Sequence, residues 1–171
     1  MSKISKQLSY ILRHNPESAN MVLDKDGYAV VNNVLEFFKI NIHTLENLIK
    51  IDDKQRFSFN KDKTLIRASQ GHTINVNINF KEIQPVTFLY HGTAEQYKDI
   101  IMKDGLKKMQ RHHVHLASEH KDSVTVGMRK GTPVLLEIDA PRMYREGYKF
   151  YISDNGVYLT DFVPSKYIKI I

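Results

Sequence analysis

The apolar residues change their spacing along the chain, and that change restricts the available folds more than any single motif does. In residues 2–14, Ile4, Leu8, Ile11 and Leu12 recur at the spacing of one helix face and leave Lys3, Lys6, Gln7, Tyr10, Arg13 and His14 as the complementary stripe. Pro16 disfavours helical geometry at Asn15, so the helix is expected to end there with Arg13 and His14 in its last turn. Beyond the turn signal Asp24-Lys25-Asp26-Gly27, the cluster Val34, Leu35, Phe37 and Phe38 suggests a second helix. Thr44 stands where it can cap a third, carrying Leu45, Leu48 and Ile49. The period then drops to two: Arg56–Phe59 and Thr64–Ala68 alternate around Asn60-Lys61-Asp62-Lys63, which reads as a β-hairpin with a four-residue loop.

Three helices followed by a hairpin suggest a winged-helix lobe. Alternation also separates neighbours in the second hairpin strand, because an inward Ile66 requires an outward Arg67. The stretch INVNINFKEIQP, ending at Pro85, reads as the passage to a second lobe, giving expected domains of 1–84 and 85–171. From Thr87 to His91 a buried strand is expected, then Gly92, then a helix opened by a capping box of Thr93 and Gln96 and ending near Gly105. Further strands are expected at Val114–Ala117, Val134–Asp139, Phe150–Ile152, Val157–Thr160 and Tyr167–Ile170, with a turn at Ser153-Asp154-Asn155-Gly156. The fold class is therefore α+β, a helical lobe followed by a β-rich mixed one.

Composition narrows the partners. The 171 residues carry a net charge of +6, with a pI near 9.4, which favours polyanions because Lys and Arg gain affinity by displacing counterions from phosphates. A solvated Lys-rich surface would give the same charge. The absence of cysteine excludes disulfides and thiolate metal sites, and no apolar run approaches the roughly 18 residues of a membrane span. A cytoplasmic protein is expected.

Five places could carry chemistry, and each has an ordinary structural alternative. Arg13-His14 sets a fixed cation beside a titratable imidazole, although cations at a helix C-terminus are also favoured by the dipole. The run Arg67-Ala68-Ser69-Gln70-Gly71-His72-Thr73 offers an outward Arg and several hydrogen-bonding side chains, or merely a polar turn. At His91-Gly92-Thr93, Gly permits close ligand approach and a following helix start would offer backbone N–H groups to a phosphate; a plain strand-to-helix connection fits equally. In Arg111-His112-His113-Val114-His115, His113 and His115 share a strand face, but no nearby carboxylate or thiolate completes a metal set, so nucleotide hydrogen bonding is the better reading. Gly127-Met128-Arg129-Lys130-Gly131 leaves room for a ligand beside Arg129, or is a basic turn.

Together the strings LSYILRHNPE, IRASQGHT, LYHGT, HHVHLA, GMRKGTPVLLEID and NGVYLT resemble, in order and over essentially the whole chain, the RNA 2'-phosphotransferase family. The resemblance implies a winged-helix lobe that helps hold RNA and an ADP-ribosyltransferase-like lobe that holds NAD. Carried over by motif, the family's Arg-His-Arg-Arg catalytic set falls on Arg13, His14, Arg67 and Arg129, with Gln70 and His72 on the RNA side. NAD contacts fall on His91, Gly92, Thr93, His113 and His115, and no metal is implied. Ser69, Thr73 and Ala117 depart from the family's usual Asn, Ser and Ser. The implied protein is a monomer acting on RNA with an internal 2'-phosphate, as in tRNA splicing or RNA repair, and consuming NAD as co-substrate. Two rivals predict different products: a one-step ADP-ribosyltransferase acting on a nucleic-acid terminal phosphate or a protein would yield no cyclic phosphate, and a non-catalytic winged-helix binder would not use NAD.

Overall fold

Residues 2–120 and 132–171 are described by a computed structural model. The chain divides into two compact units, Met1–Asn79 and Phe80–Ile171. Among the described residues the architecture is mixed α/β, with five α-helices and several small antiparallel sheets.

The first unit opens with helix α1 (Lys3–His14), whose N-cap Ser2 hydroxyl accepts the Ser5 N–H at 3.1 Å. Its C-cap is Asn15, directly before the 3-10 turn Pro16–Ala19, where proline's fixed φ and missing N–H suit a helical first position. Then follow β1 (Tyr28–Val30), α2 (Val31–Phe38), α3 (Ile42–Lys50), β2 (Phe57–Phe59) and β3 (Leu65–Ala68). The expected hairpin is present, pairing Phe59 with Ile66 and Phe57 with Ala68. Strand β1 is absent from the sequence reading; it pairs with β3 and makes the sheet order β1-β3-β2. The cap of α3 also differs from expectation. It is Asn41, whose side chain accepts the Thr44 N–H at 2.9 Å, so Thr44 lies inside the helix. Leu8, Leu12, Val34, Leu45 and Ile66 are fully buried and form the core. At the end of α3, the carboxylate of buried Asp52 accepts the Arg56 N–H at 2.6 Å and pairs with its guanidinium, fixing the chain's entry into β2.

The second unit begins with β4 (Lys81–Glu82), β5 (Leu89–Ala94), α4 (Glu95–Asp104), β6 (Leu106–Lys107) and β7 (Val114–Leu116). It continues with β8 (Pro133–Ile138), α5 (Ala140–Arg145), β9 (Tyr151–Ile152), β10 (Tyr158–Thr160), β11 (Phe162–Val163) and β12 (Ile168–Ile170). The sheets run β12-β8-β5 and β4-β9-β10-β7, with β6 and β11 forming a separate pair. A bridge between Tyr90 and Ala117, closed by two backbone hydrogen bonds of 2.8 Å, links β5 to the chain leaving β7. Leu89, Leu116, Leu136, Ile138, Met143 and Phe150 build the core. Gly105 ends α4 with φ +84°, and a Cβ there would fall 2.6 Å from the Val163 carbonyl oxygen, so only glycine fits.

The largest correction concerns the His91 segment. The strand does not stop at His91 but continues through Gly92 to Ala94, each residue paired with β8 from Leu89 opposite Ile138 to Ala94 opposite Pro133. Helix α4 therefore starts at Glu95 after an Ala94 cap, and Thr93 is a buried strand residue rather than a helix cap. The β8 partner decides this, because an unbroken ladder satisfies the backbone of six successive residues. Helix α5 and the β6–β11 pair are likewise absent from the sequence reading.

Candidate active site

In the first unit the end of α1 meets the chain leaving β3. His14 Nδ1 lies 2.9 Å from Thr73 Oγ1, and the Thr73 N–H donates to the Arg13 carbonyl at 3.0 Å. Thr73 thus holds both the main chain at Arg13 and the imidazole of His14. Between them Gly71 adopts φ +90°, and a Cβ there would touch the Arg13 side chain at 3.7 Å. Arg67 sits midway along β3, opposite Tyr28 on one side and Ser58 on the other. Its guanidinium lies 4.8 Å from the centroid of the Tyr28 ring, and its Nη1 reaches the Asp26 carbonyl at 3.5 Å. As alternation required, Ile66 is fully buried while Arg67 is half-buried.

The remaining RNA-side positions divide. Gln70 is partly exposed, whereas His72 is buried at 3% exposure with Nε2 close to Gly27. His14 also lines a cleft of about 420 Å³ with Asn15, Glu17, Met21, Ile74 and Val76, and the Tyr10 ring stands 5.7 Å from its imidazole. Neither feature was foreseen, since a cleft wall assembled from residues 14–23 and 74–76 has no local sequence signal.

In the second unit, His91 lies in β5 and its Nδ1–H donates to the His115 carbonyl at 2.9 Å. A carbonyl only accepts, so Nδ1 carries the proton. Gly92 and Thr93 are both buried within the same strand, opposite Leu135 and Val134. His113 is partly buried, edge-on to the Phe80 and Tyr151 rings at 5.8 Å each. Burial pushes its imidazole below the ordinary value, with Asp161 pulling the other way, so the ring is neutral near pH 7 and can both donate and accept. His115 lies between the buried Val114 and Leu116 of β7. Arg129, with the Gly127–Gly131 segment around it, lies outside the described residues. Among the described residues no group of three or more His, Asp or Glu is arranged to hold a metal ion, and no helix is long and apolar enough to cross a membrane.

The model of the family described as "RNA 2'-phosphotransferase, Tpt1 / KptA family" matches residues 1–162 of this sequence. The chain belongs to this family. Among curated proteins it is 47% identical to one from Flavobacterium johnsoniae, over 97% of this chain and 94% of the relative. It is 47% identical to one from Fusobacterium nucleatum, over 98% and 97% of the two chains, and 46% identical to one from Trichormus variabilis, over 97% and 94%. All three bear the name "Probable RNA 2'-phosphotransferase". The family match spans the Arg13-His14 corner, Arg67 and the His91 strand in one stretch.

Proposed function

We propose that this chain transfers an internal RNA 2'-phosphate to NAD, giving 2'-hydroxyl RNA, nicotinamide and ADP-ribose 1'',2''-cyclic phosphate. The observation that carries this reading is the corner at which Arg13 and His14 are tied to Thr73 and Gly71, on the chain that continues the strand bearing Arg67. Support for a winged-helix lobe comes from the order α1, β1, α2, α3, β2, β3 with sheet order β1-β3-β2. The two short sheets of the second unit suit the ADP-ribosyltransferase-like lobe, with 1–84 and 85–171 as the working division.

In the first step a 2'-phosphate oxygen bonds to the anomeric carbon of the nicotinamide-bearing ribose. The carbon–nitrogen bond breaks, and nicotinamide leaves with the electron pair. RNA is then joined to ADP-ribose through its phosphate. In the second step the neighbouring ribose 2''-hydroxyl gives up its proton as its oxygen bonds to phosphorus, the bond from phosphorus to the RNA 2'-oxygen breaks, and that oxygen takes a proton.

Arg13, Arg67 and Arg129 hold phosphate oxygens throughout, because guanidinium stays protonated and its planar fork matches two oxygens at once. Charge on phosphorus grows in the second step, so fixed cations there stabilise the transition state more than the ground state. His14, oriented through Nδ1 by Thr73, handles the second-step proton. Gln70 and the buried His72 act on the RNA side. NAD would be held by His91, His113 and His115 as hydrogen-bonding partners, with Gly92 and Thr93 lining the approach. None of these steps calls for a metal.

The test is incubation of the purified protein with an oligoribonucleotide bearing one internal 2'-phosphate, with and without NAD. Cyclic phosphate and 2'-hydroxyl RNA are expected only with NAD. Persistent RNA-linked ADP-ribose would replace this reading by the one-step transferase, and no NAD-dependent change would reduce the chain to a binding protein.

A further inference from the structure

Helix α1 places two of its cations, Lys3 and Lys6, against its own dipole. Lys3 and Lys6 stand in the first turns, there is no acidic residue anywhere in KISKQLSYILRH, and only the Ser2 cap satisfies the N-terminus. Cations near a helix N-terminus are unfavourable, so stability does not account for this arrangement. Lys3, Lys6, Gln7 and Tyr10 are all exposed and lie on one stripe with Arg13 and His14, while Leu8, Ile11 and Leu12 are buried on the other face. Tyr10 leaves 54% of its surface exposed, yet its ring is tilted 47° against His14 at 5.7 Å. The exposed faces of the other two helices in the unit differ. On α3 the basic groups are offset by Glu46, which is paired with Lys63 and His43, and α2 presents Asn32, Asn33 and Glu36.

We infer that the stripe Lys3-Lys6-Gln7-Tyr10 is the track along which single-stranded RNA lies as it leads to His14, Tyr10 stacking on the base next to the phosphorylated nucleotide and the two lysines meeting backbone phosphates beyond it. The inference rests on the proposed reading of His14 as the group that meets the RNA 2'-phosphate. The physical warrants are independent of it. A row of cations with no acidic neighbour on the helix, ending in an exposed aromatic ring, combines the two features that bind single strands without regard to sequence, charge along the backbone and a stacking platform for a base. From Lys3 to His14 the helix advances roughly 16 Å at about 1.5 Å per residue, the reach of a few nucleotides. Gln7, on the same stripe, adds a neutral hydrogen-bonding group that can serve either a phosphate or a base edge.

The experiment is a binding titration of a single-stranded oligoribonucleotide carrying one internal 2'-phosphate, without NAD and at several salt concentrations. It compares the wild type with K3Q/K6Q, Tyr10→Ala and Tyr10→Phe. K3Q/K6Q is expected to flatten the plot of log affinity against log salt by roughly 0.7 per lysine removed. Tyr10→Ala is expected to weaken binding about tenfold and Tyr10→Phe to restore most of it, because stacking needs the ring and not the hydroxyl. Since Gln relieves rather than worsens the clash with the helix dipole, lost affinity in K3Q/K6Q cannot come from unfolding. With NAD present, K3Q/K6Q should keep the wild-type kcat on a dinucleotide bearing the same 2'-phosphate, while KM rises on the longer RNA. An unchanged salt slope together with unchanged Tyr10→Ala affinity overturns the track. Altered slope and affinity in a protein without NAD-dependent turnover would keep the track and overturn the catalytic reading instead.

Discussion

The two units hold their candidate residues by different means. In Met1–Asn79, Arg13 and His14 at the end of α1 are tied to the 71–73 loop by single contacts, one from a side chain, one from the backbone and one across a glycine with positive φ, while Arg67 sits in β3 beside Tyr28. In Phe80–Ile171, His91, Gly92 and Thr93 are consecutive residues of one strand, held by a six-residue ladder to β8 and, at Tyr90, by the bridge to Ala117. A corner built from single contacts fixes the direction of particular polar groups but depends on each contact. A ladder fixes the backbone and tolerates loss of a side chain. The first arrangement suits groups that must meet developing charge at a defined point, and the second suits a surface that receives a ligand.

That contrast sets the order of the expected effects. The largest falls on the first unit: His14→Ala or Arg67→Ala should slow the second step by a factor of about 10² to 10³ and let RNA-linked ADP-ribose accumulate, as followed by gel and nucleotide chromatography. Wild-type rates without an intermediate would break the assignment. Next is the ladder: His91→Ala should lower the urea midpoint slightly, through the lost bond to the His115 carbonyl, while weakening NAD about tenfold by calorimetry, the worth of a buried polar contact. Undiminished NAD affinity would remove His91 from the site. Smaller again, Thr73→Val should lower kcat about fivefold by releasing His14, with Thr73→Ser restoring it, since a typical hydrogen bond contributes on the order of 1 kcal/mol. Equal rates in Thr73→Val and wild type would mean that the contact does not orient the imidazole.

The smallest effect lies away from both. The Glu146 carboxyl is held down to about 2, chiefly by the Tyr167 hydroxyl, then by Lys166 and Arg142. A depressed carboxyl contributes stability that is present above its unfolded value near 4.5 and is lost as pH falls toward 2. Wild-type urea midpoints should therefore decline over that window by more than those of Glu146→Gln. Parallel declines would show that the cluster adds nothing to the second unit.

Several elements were legible because their signals are local. Helix α1 and its stop need only an apolar stripe and Pro16, the β2–β3 hairpin needs alternation and a polar loop, and Ile66 in with Arg67 out follows from the pleat. Where competing local signals were close in strength, tertiary partners chose. Asn41 displaced Thr44 as the α3 cap, and β8 carried β5 through Gly92 and Thr93 against a capping-box pattern. The short strands β1, β6 and β11 are defined by the partner that completes their hydrogen bonds.

The sequence by itself determined to which family the chain belongs, because that resides in side-chain identity and order. Only the tertiary structure decided that Thr73 meets His14 across 59 positions, that Arg67 lies over Tyr28, that His91 donates to His115 and that His72 is buried. Those pairings join residues far apart in the chain. They are set by which packing of helices and strands buries the apolar faces and satisfies the backbone at once, and that is a property of the whole fold rather than of any local pattern.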